Sequence, residues 1–278
     1  MNDVASLLVE ALPYIRRFAG KVVVVKYGGN AMGEDLSTFA EDIVLLHSVG
    51  MKVVVVHGGG PQIGDLLARL GMETRFVDGL RVTDAETLDV ARMVLVGKVN
   101  REIVSAINVH GRLAVGVSGE DGALLHAHAR SPELGFVGDI DHVDPVLLDR
   151  LLGSDLIPVV ATIATDDDGQ AYNVNADSAA GAIAAALKAE KLVYLTDVEG
   201  IRKDPGDPGS LLTTVTVEEL NGMVSDGSVR DGMIPKVASC VHAVRAGVGH
   251  AHVLDGRVPH VLLVEFFTHA GIGTMVTR

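Results

Sequence analysis

Three lysines stand where positive charge could meet a migrating phosphoryl group. Lys26 closes the run Lys21-Val22-Val23-Val24-Val25-Lys26-Tyr27-Gly28-Gly29, and Lys236 follows Gly232-Met233-Ile234-Pro235. Lys203 lies in an acidic loop, where plain solvation is the simpler reading. Phosphoryl transfer needs cations and hydrogen-bond donors around the phosphoryl oxygens and little covalent help. The glycines after Lys26 supply such donors, because backbone without a Cβ can approach a ligand closely. A second run, Lys52-Val53-Val54-Val55-Val56-His57-Gly58-Gly59-Gly60-Pro61, repeats the pattern. Pro61 suits the first turn of a helix that carries Ile63, Leu66, Leu67 and Leu70 and closes at Gly71. Strand, glycine loop and helix start converge on an anion site, since N–H groups and the helix dipole point the same way. Lys236 opens another helix, with the stripe Val237, Cys240, Val241 and Val244, which places Cys240 in the core.

Asn173-Val174-Asn175-Ala176-Asp177 precedes an Ala-rich helix. Asn175 or Asp177 fits a helix cap. Asp177 also suits holding cationic lysines, with the asparagines donating to a substrate. Arg81, in Asp78-Gly79-Leu80-Arg81-Val82-Thr83, offers a fork for a substrate carboxylate. The Walker loop is absent, no Gly-x-Gly-x-x-Gly opens a helix, and no His/Cys cluster has zinc spacing. His57-Gly58-Gly59-Gly60 has the form of an esterase oxyanion loop, but no Gly-x-Ser-x-Gly elbow accompanies it.

The elements that position these residues read as alternating strands and helices. An amphipathic helix over 3–18 precedes the first valine strand, and a helix over 35–48 separates the two valine strands. A short extended piece at Leu80–Val82 leads to a helix capped by Thr83 or Asp84 and running to Ile107. Strands follow at 113–117, 124–128, 137–143 and 156–163, with a short helix over 145–152. Asp166-Asp167-Asp168-Gly169 reads as a solvated hairpin turn. Beyond it come a helix over 177–189, a strand at 192–196, helices over 216–225 and 235–246, and a strand at 252–254. A final pair of strands is expected at Leu262–Phe267 and Thr274–Val276. Four valines in a row read as strand apolar on both faces, and repeated βα units imply a mostly parallel sheet with helices on both sides. Ligands then bind beyond the carboxyl ends of the strands, where both glycine loops fall.

Composition narrows the function further. The 278 residues are 48% hydrophobic but only 4% aromatic, so Val, Ala and Leu fill the core. A net charge of −13 argues against nucleic acid as a partner. The single Cys240 excludes an intrachain disulfide and fits a reducing compartment. No apolar run reaches the roughly 20 residues of a membrane span. The N-terminus, with Asp3 and Glu10, lacks the features of a signal peptide. The cytoplasm is the expected location.

These residues resemble the acetylglutamate kinases, within the amino acid kinase fold, along essentially the whole chain. The resemblance is carried in order by Lys26-Tyr27-Gly28-Gly29-Asn30-Ala31-Met32, His57-Gly58-Gly59-Gly60-Pro61-Gln62-Ile63, Asp78-Gly79-Leu80-Arg81-Val82-Thr83, Asn173-Val174-Asn175-Ala176-Asp177, Leu195-Thr196-Asp197-Val198-Glu199-Gly200-Ile201 and Gly232-Met233-Ile234-Pro235-Lys236. It implies an α/β three-layer sandwich around a mostly parallel sheet. The single unit, 1–278, is bilobed: an N-terminal helix over 1–18, an acyl-substrate lobe over about 19–175 and a nucleotide lobe over about 176–278. It implies transfer of the ATP γ-phosphoryl group to the side-chain carboxylate of N-acetyl-L-glutamate, in arginine biosynthesis. Lys26 and Lys236 would stabilise the migrating charge, with Asp177 orienting both. Gly58, Gly59, Arg81, Asn173 and Asn175 would bind the acyl substrate, and Gly28, Gly29, Thr196 and Asp197 the nucleotide. Mg²⁺ would be held by ATP oxygens and water rather than by protein ligands.

Two segments resemble the arginine-inhibited branch of that family. Ala11-Leu12-Pro13-Tyr14-Ile15 lies in a helix that there interlaces dimers into a hexamer, a trimer of dimers. The segment from Leu263 to Thr274 there supports the inhibitor site. Tyr14, Glu265 and Gly271 are the implied arginine positions, although Glu265 equally suits an ordinary salt bridge. A signalling protein that relieves arginine inhibition is a further partner the resemblance admits. The sequence departs from the family at Glu120, where many relatives carry lysine, and at Ala161-Thr162, where proline is common. Rival readings are a kinase of the same fold acting on another acceptor, such as a carrier-linked aminoadipate or glutamate, aspartate or carbamate, and a non-catalytic arginine sensor.

Overall fold

The two valine runs become neighbouring parallel strands in a computed structural model that describes residues 2–29, 36–204, 206–229, 233–268 and 271–278. Asn30, Ala31, Met32, Gly232, His269 and Ala270 lie outside the described residues, as do the side chains of Val4, Leu7 and Leu8. Strands β1 (Val22–Tyr27) and β2 (Lys52–His57) pair in register, with Lys26 beside Val56 and Tyr27 beside His57. Val23, Val25, Val53 and Val55 pack into one helical layer, and Val24, Val54 and Val56 into the other. Burial on both faces is the reason these strands read as continuous apolar runs.

Before β1 runs α1 (Asn2–Phe18), and between the valine strands α2 (Ser37–Ser48). Helix α3 (Gly60–Arg69) follows with Pro61 in its first turn. A hairpin of β3 (Phe76–Val77) and β4 (Leu80–Arg81) leads to α4 (Ala85–Arg92), capped by Asp84, whose Oδ1 accepts from the Thr87 N–H at 2.8 Å. This helix continues through a π-helical stretch, Met93–Val99, into α5 (Asn100–Asn108). The sequence reads there as one uninterrupted helix; a π stretch has no compositional signature.

Strands β5 (Ala114–Ser118), β6 (Leu125–Ala129) and β7 (Val137–Val143) precede α6 (Val146–Gly153). The expected single strand over 156–163 divides into β8 (Ile157–Ala161) and β9 (Ile163–Thr165), parting at Thr162. β9 turns at Asp166–Gly169 into antiparallel β10 (Ala171–Val174), as the polar turn predicts. Then come α7 (Ala176–Ala186), β11 (Lys191–Thr196), β12 (Thr214–Thr216), α8 (Val217–Ser225), α9 (Met233–Arg245), β13 (His250–Asp255), α10 (Val261–Phe267) and β14 (Thr274–Thr277).

Eight strands form the central sheet in the order β12-β14-β13-β11-β1-β2-β8-β5, parallel except between β13 and β14. Strands β10-β7-β6-β9 close into a small separate barrel that the sequence did not reveal. β12, only Thr214–Thr216, was also missed. Leu262–Phe267 is helix rather than strand. Val261, Leu262 and Phe266 are buried and the run is apolar on several sides, so its period is ambiguous over such a length. His260, left-handed at φ 56, fixes the entry to α10 through a 2.7 Å bond between its Nδ1 and Asp42 Oδ1 on α2.

Candidate active site

Lys26, Asp177 and Lys236 arrive from β1, α7 and α9. Lys26 sits near the carboxyl end of β1, between Val56 of β2 and Tyr194 of β11. Asn175 caps α7: its side-chain oxygen accepts from the N–H groups of Asp177 at 2.9 Å and Ser178 at 3.1 Å. The Tyr194 hydroxyl donates to the Asp177 carbonyl at 3.2 Å, pinning the same turn to the sheet. Lys26 Nζ lies 2.8 Å from Asp177 Oδ1 and Lys236 Nζ 3.1 Å from Oδ2, and the three side chains are only 9–12% exposed. Burial opposes a charged Asp177, but the two ammonium groups outweigh it and hold its carboxyl below the usual carboxylate range. The arrangement is a buried cation–anion–cation bridge with net positive charge.

Lys26 and Asp177 line one of two cavities, and Met233 of α9 lines the other. The smaller, about 230 Å³, is lined by Lys26, Gly29, Gly58, Gly59, Gly60, Arg81, Asn173, Asn175 and Asp177 among others. Arg81 is held at its wall: one guanidinium nitrogen donates to the Gly60 carbonyl at 2.9 Å, and the Phe76 ring lies 4.9 Å beneath. Asn173 Nδ2 reaches Thr83 Oγ1 at 3.4 Å. Gly28 lies behind, where a Cβ would come within 3.2 Å of Gly58 N, so the two glycine loops pack against each other. A Cβ on Gly59 would stand 2.8 Å from Leu95 and 3.2 Å from Val99 of the π stretch. Thr162, the departure beside β8, is buried and also lines this cavity.

The larger cavity, roughly 620 Å³, is lined by Asp197, Val198, Glu199, Ile201, Met233 and Arg257 among others. Met233, on its wall, stands about one turn before Lys236 on α9. Asp197, also on this wall, makes the step from β11 into the following loop. Thr196 is buried at the end of β11 and reaches the cavity only through its 3.2 Å bond to Asp197 Oδ1. Ile201 and Met233 belong to segments that carry the family resemblance, whereas Arg257 was missed: a lone arginine carries no nucleotide signature. Arg257 is clamped by Asp255 through two bonds of 2.9 and 2.8 Å.

Elsewhere the structure sorts the remaining candidates. Lys203 is exposed, and Glu120 pairs with Arg92 at 2.7 Å. Asp166 accepts from the N–H groups of Asp168 and Gln170, making the acidic run a turn. Cys240 is fully buried, and burial pushes its thiol well up from its usual pKa. Glu265 and Gly271 are neighbours: a Cβ on Gly271 would lie 4.0 Å from Glu265 Oε2. Glu265 is already engaged, with Lys191 Nζ at 2.8 Å, His252 Nδ1 at 2.9 Å and the Ile272 N–H at 3.3 Å. Burial would raise its carboxyl, but the His252 hydrogen bond and the charges around it hold it at about 2. Lys191 is itself sandwiched between the Phe18 and Phe266 rings, 5.1 and 4.8 Å away. Sequence reasoning missed Lys191, because a lysine at a strand start reads as a solvated end. Tyr14 of α1 packs half-buried on the same helical layer.

The pattern of the Amino acid kinase family matches residues 21–255. The acetylglutamate kinase of Symbiobacterium thermophilum is 53% identical, over 99% of this chain and 98% of its own. Two solved structures of N-acetylglutamate synthase from Neisseria gonorrhoeae also superpose, each 29% identical. One, with coenzyme A and N-acetyl-glutamate, has a TM-score of 0.87 over 99% of this chain and 63% of that one. The other, with coenzyme A and L-arginine, has a TM-score of 0.84 over 98% and 65%. This chain therefore spans less than two thirds of the synthase. Near-complete coverage at this identity, on a sheet whose glycine loops flank the lysine–aspartate–lysine bridge, places the chain in the amino acid kinase family, among its acetylglutamate kinases.

Proposed function

We propose that this enzyme transfers the γ-phosphoryl group of ATP to the side-chain carboxylate of N-acetyl-L-glutamate, giving the acyl phosphate. The observation that carries the reading is the buried Lys26–Asp177–Lys236 bridge, with Lys26 and Asp177 on the wall of the smaller cavity. The acceptor carboxylate is ionised at neutral pH, so the reaction needs no general base. What it needs is relief of repulsion between two anions, and two desolvated ammonium groups supply it. Asp177 holds them on opposite oxygens, so neither must reorient as charge migrates. Acetylglutamate occupies the smaller cavity, with Arg81 and Asn173 at its carboxylate end and the glycine N–H groups facing the reacting oxygens. ATP occupies the larger, with Met233, Val198 and Ile201 offering apolar surface for the base and Asp197 beside it. The lobes accordingly divide near residue 175. Both Asp177 oxygens are taken by lysines, a donor set that suits Mg²⁺ carried on ATP oxygens and water. The enzyme works in the cytoplasm.

Feedback inhibition by L-arginine belongs to the same proposal. Support comes from the Glu265–Gly271 juxtaposition and from the likeness to the arginine-bound synthase. A guanidinium that reaches Glu265 must share or displace the Lys191 ammonium. Helix α1 leans on α10 through Phe18 and Phe266, rings 5.4 Å apart, and exposes Val9 and Leu12. Those side chains suit an interlaced hexamer. Deleting residues 1–17 should therefore shrink the assembly in light scattering and raise the arginine concentration needed for inhibition. A truncated protein that remains hexameric removes the interlacing role.

The test of function is ATP-dependent acyl-phosphate formation on N-acetyl-L-glutamate, trapped as the hydroxamate, with and without L-arginine. Product that arginine suppresses is expected. Product indifferent to arginine keeps the kinase and discards the feedback; no product from folded enzyme with Mg²⁺ discards the acceptor.

A further inference from the structure

One buried polar residue at the site takes no part in the proposed transfer. His57 ends β2 and is fully buried. Its Nδ1 lies 3.0 Å from the Gly58 carbonyl oxygen, and its Nε2 lies 3.0 Å from Asn100 Nδ2. Asn100 decides which nitrogen carries the proton. Its Nδ2 donates to the Val159 carbonyl at 2.8 Å, while its Oδ1 accepts from Arg101. An amide turned the other way would set oxygen against oxygen at Val159. The second Nδ2 hydrogen therefore points at His57 Nε2, which must be the unprotonated acceptor. The proton of the neutral ring then sits on Nδ1 and is donated to Gly58. Burial pushes the ring's pKa down to about 4, so the neutral form holds through the neutral range.

A trans peptide sets its C=O and N–H in opposite directions. Drawing the Gly58 carbonyl toward the buried ring turns the Gly59 N–H outward, toward the cavity that Gly58, Gly59 and Gly60 line. Among the described residues no acceptor takes that N–H. With glycine on both sides, this peptide plane would otherwise rotate freely. The π stretch supports the arrangement from behind: Leu95 and Val99 press on Gly59, and the next residue after it is Asn100.

We infer that His57 is a positioning residue for phosphoryl transfer: held by Asn100 as the Nδ1–H tautomer, it fixes the Gly58–Gly59 peptide so that the Gly59 N–H is aimed at the reacting group. The assignment rests on the kinase reading. Its test compares His57→Asn with His57→Gln in the full chain, by kcat, KM for acetylglutamate and urea unfolding. An asparagine amide nitrogen falls near the place of Nδ1 and can still donate to Gly58, whereas a glutamine amide falls near Nε2. His57→Gln should lower kcat about 100-fold with KM within about threefold, and His57→Asn should regain at least about tenfold of that loss. An unchanged kcat in His57→Gln, or equal losses that follow the unfolding midpoints, overturns the role. Should neither variant fold, ¹⁵N spectra of the histidine-labelled wild type decide. A neutral Nδ1–H ring for His57 from about pH 5 to 8 supports the assignment, and an Nε2–H ring or an imidazolium at neutral pH overturns it. A wild type inactive on acetylglutamate overturns the kinase reading as well; an active wild type with a fully active His57→Gln overturns only the positioning role.

Discussion

Replacing Lys236 by alanine should lower kcat by about 10²- to 10³-fold while KM for acetylglutamate changes by less than about threefold. Lys236 Nζ is bound to Asp177 Oδ2 and only 12% of its side chain is exposed. In the proposed transfer its ammonium would act across little water, where a charge counts for far more than at a surface. Asp177 keeps its other partner, Lys26, so the variant does not strand a lone carboxylate and should fold. Acetylglutamate would rest in the smaller cavity, which Lys236 does not line, and this is why ground-state binding should survive. What disappears is stabilisation that grows as charge moves from the nucleotide to the acceptor. The opposite pattern, a raised KM with kcat intact, would make Lys236 a substrate anchor. Lys236→Arg should recover little, because a forked guanidinium cannot occupy the point position that Asp177 Oδ2 holds.

The sequence made the centre of this site legible because its parts use the strongest local signals. Four valines before Lys26 and before His57 fix two buried strands, and glycine with Pro61 fixes the turn and helix start. Asp84 and Asn175 sit as caps for the same reason: a short polar side chain before an apolar period has little else to do. The signals fade where tertiary context decides. Ile157–Ala161 and Ile163–Thr165 are one apolar run in sequence but serve the sheet and the barrel, and only the barrel's closure separates them. Leu262–Phe267 is too short for its period to distinguish helix from strand. Lys191 and His252 are invisible as partners of Glu265, because pairing across β11, β13 and α10 depends on which strands become neighbours. Arg257 was missed likewise, since it reaches the larger cavity from the turn after β13.

Lys191→Met should cost about 3–5 kcal/mol of folding stability, the usual consequence of leaving one member of a buried ion pair without its partner. Lys191 and Glu265 are 9% and 7% exposed, so water cannot easily replace the lost ammonium. His252 and the Ile272 N–H still bond the carboxylate, but His252 does not replace the charge: burial lowers its pKa and favours the neutral ring. The acid limb of stability tests the same cluster. Glu265 titrates at about 2 in the folded protein, below its ordinary 4.5. As pH falls below that ordinary value the unfolded chain takes up the proton first, so this contribution, complete above it, is lost progressively toward about pH 2. His252 adds a loss of the same sign that begins higher, because an unfolded histidine protonates from its ordinary 6.5 downward while the buried ring resists. In Lys191→Met the Glu265 part of that slope should flatten, since the carboxyl loses the cation that helped keep it acidic. Adding Glu265→Leu should return much of the stability, because an apolar pair of similar volume suits the Phe18–Phe266 surroundings better than a lone buried charge. Urea unfolding of the three proteins at neutral and acid pH measures both effects. A single variant within about 1 kcal/mol of wild type would mean that water reaches Glu265 in solution, the behaviour of an exposed pair. The Lys191–Glu265 pair would then be an open surface latch rather than a buried tie between β11 and α10.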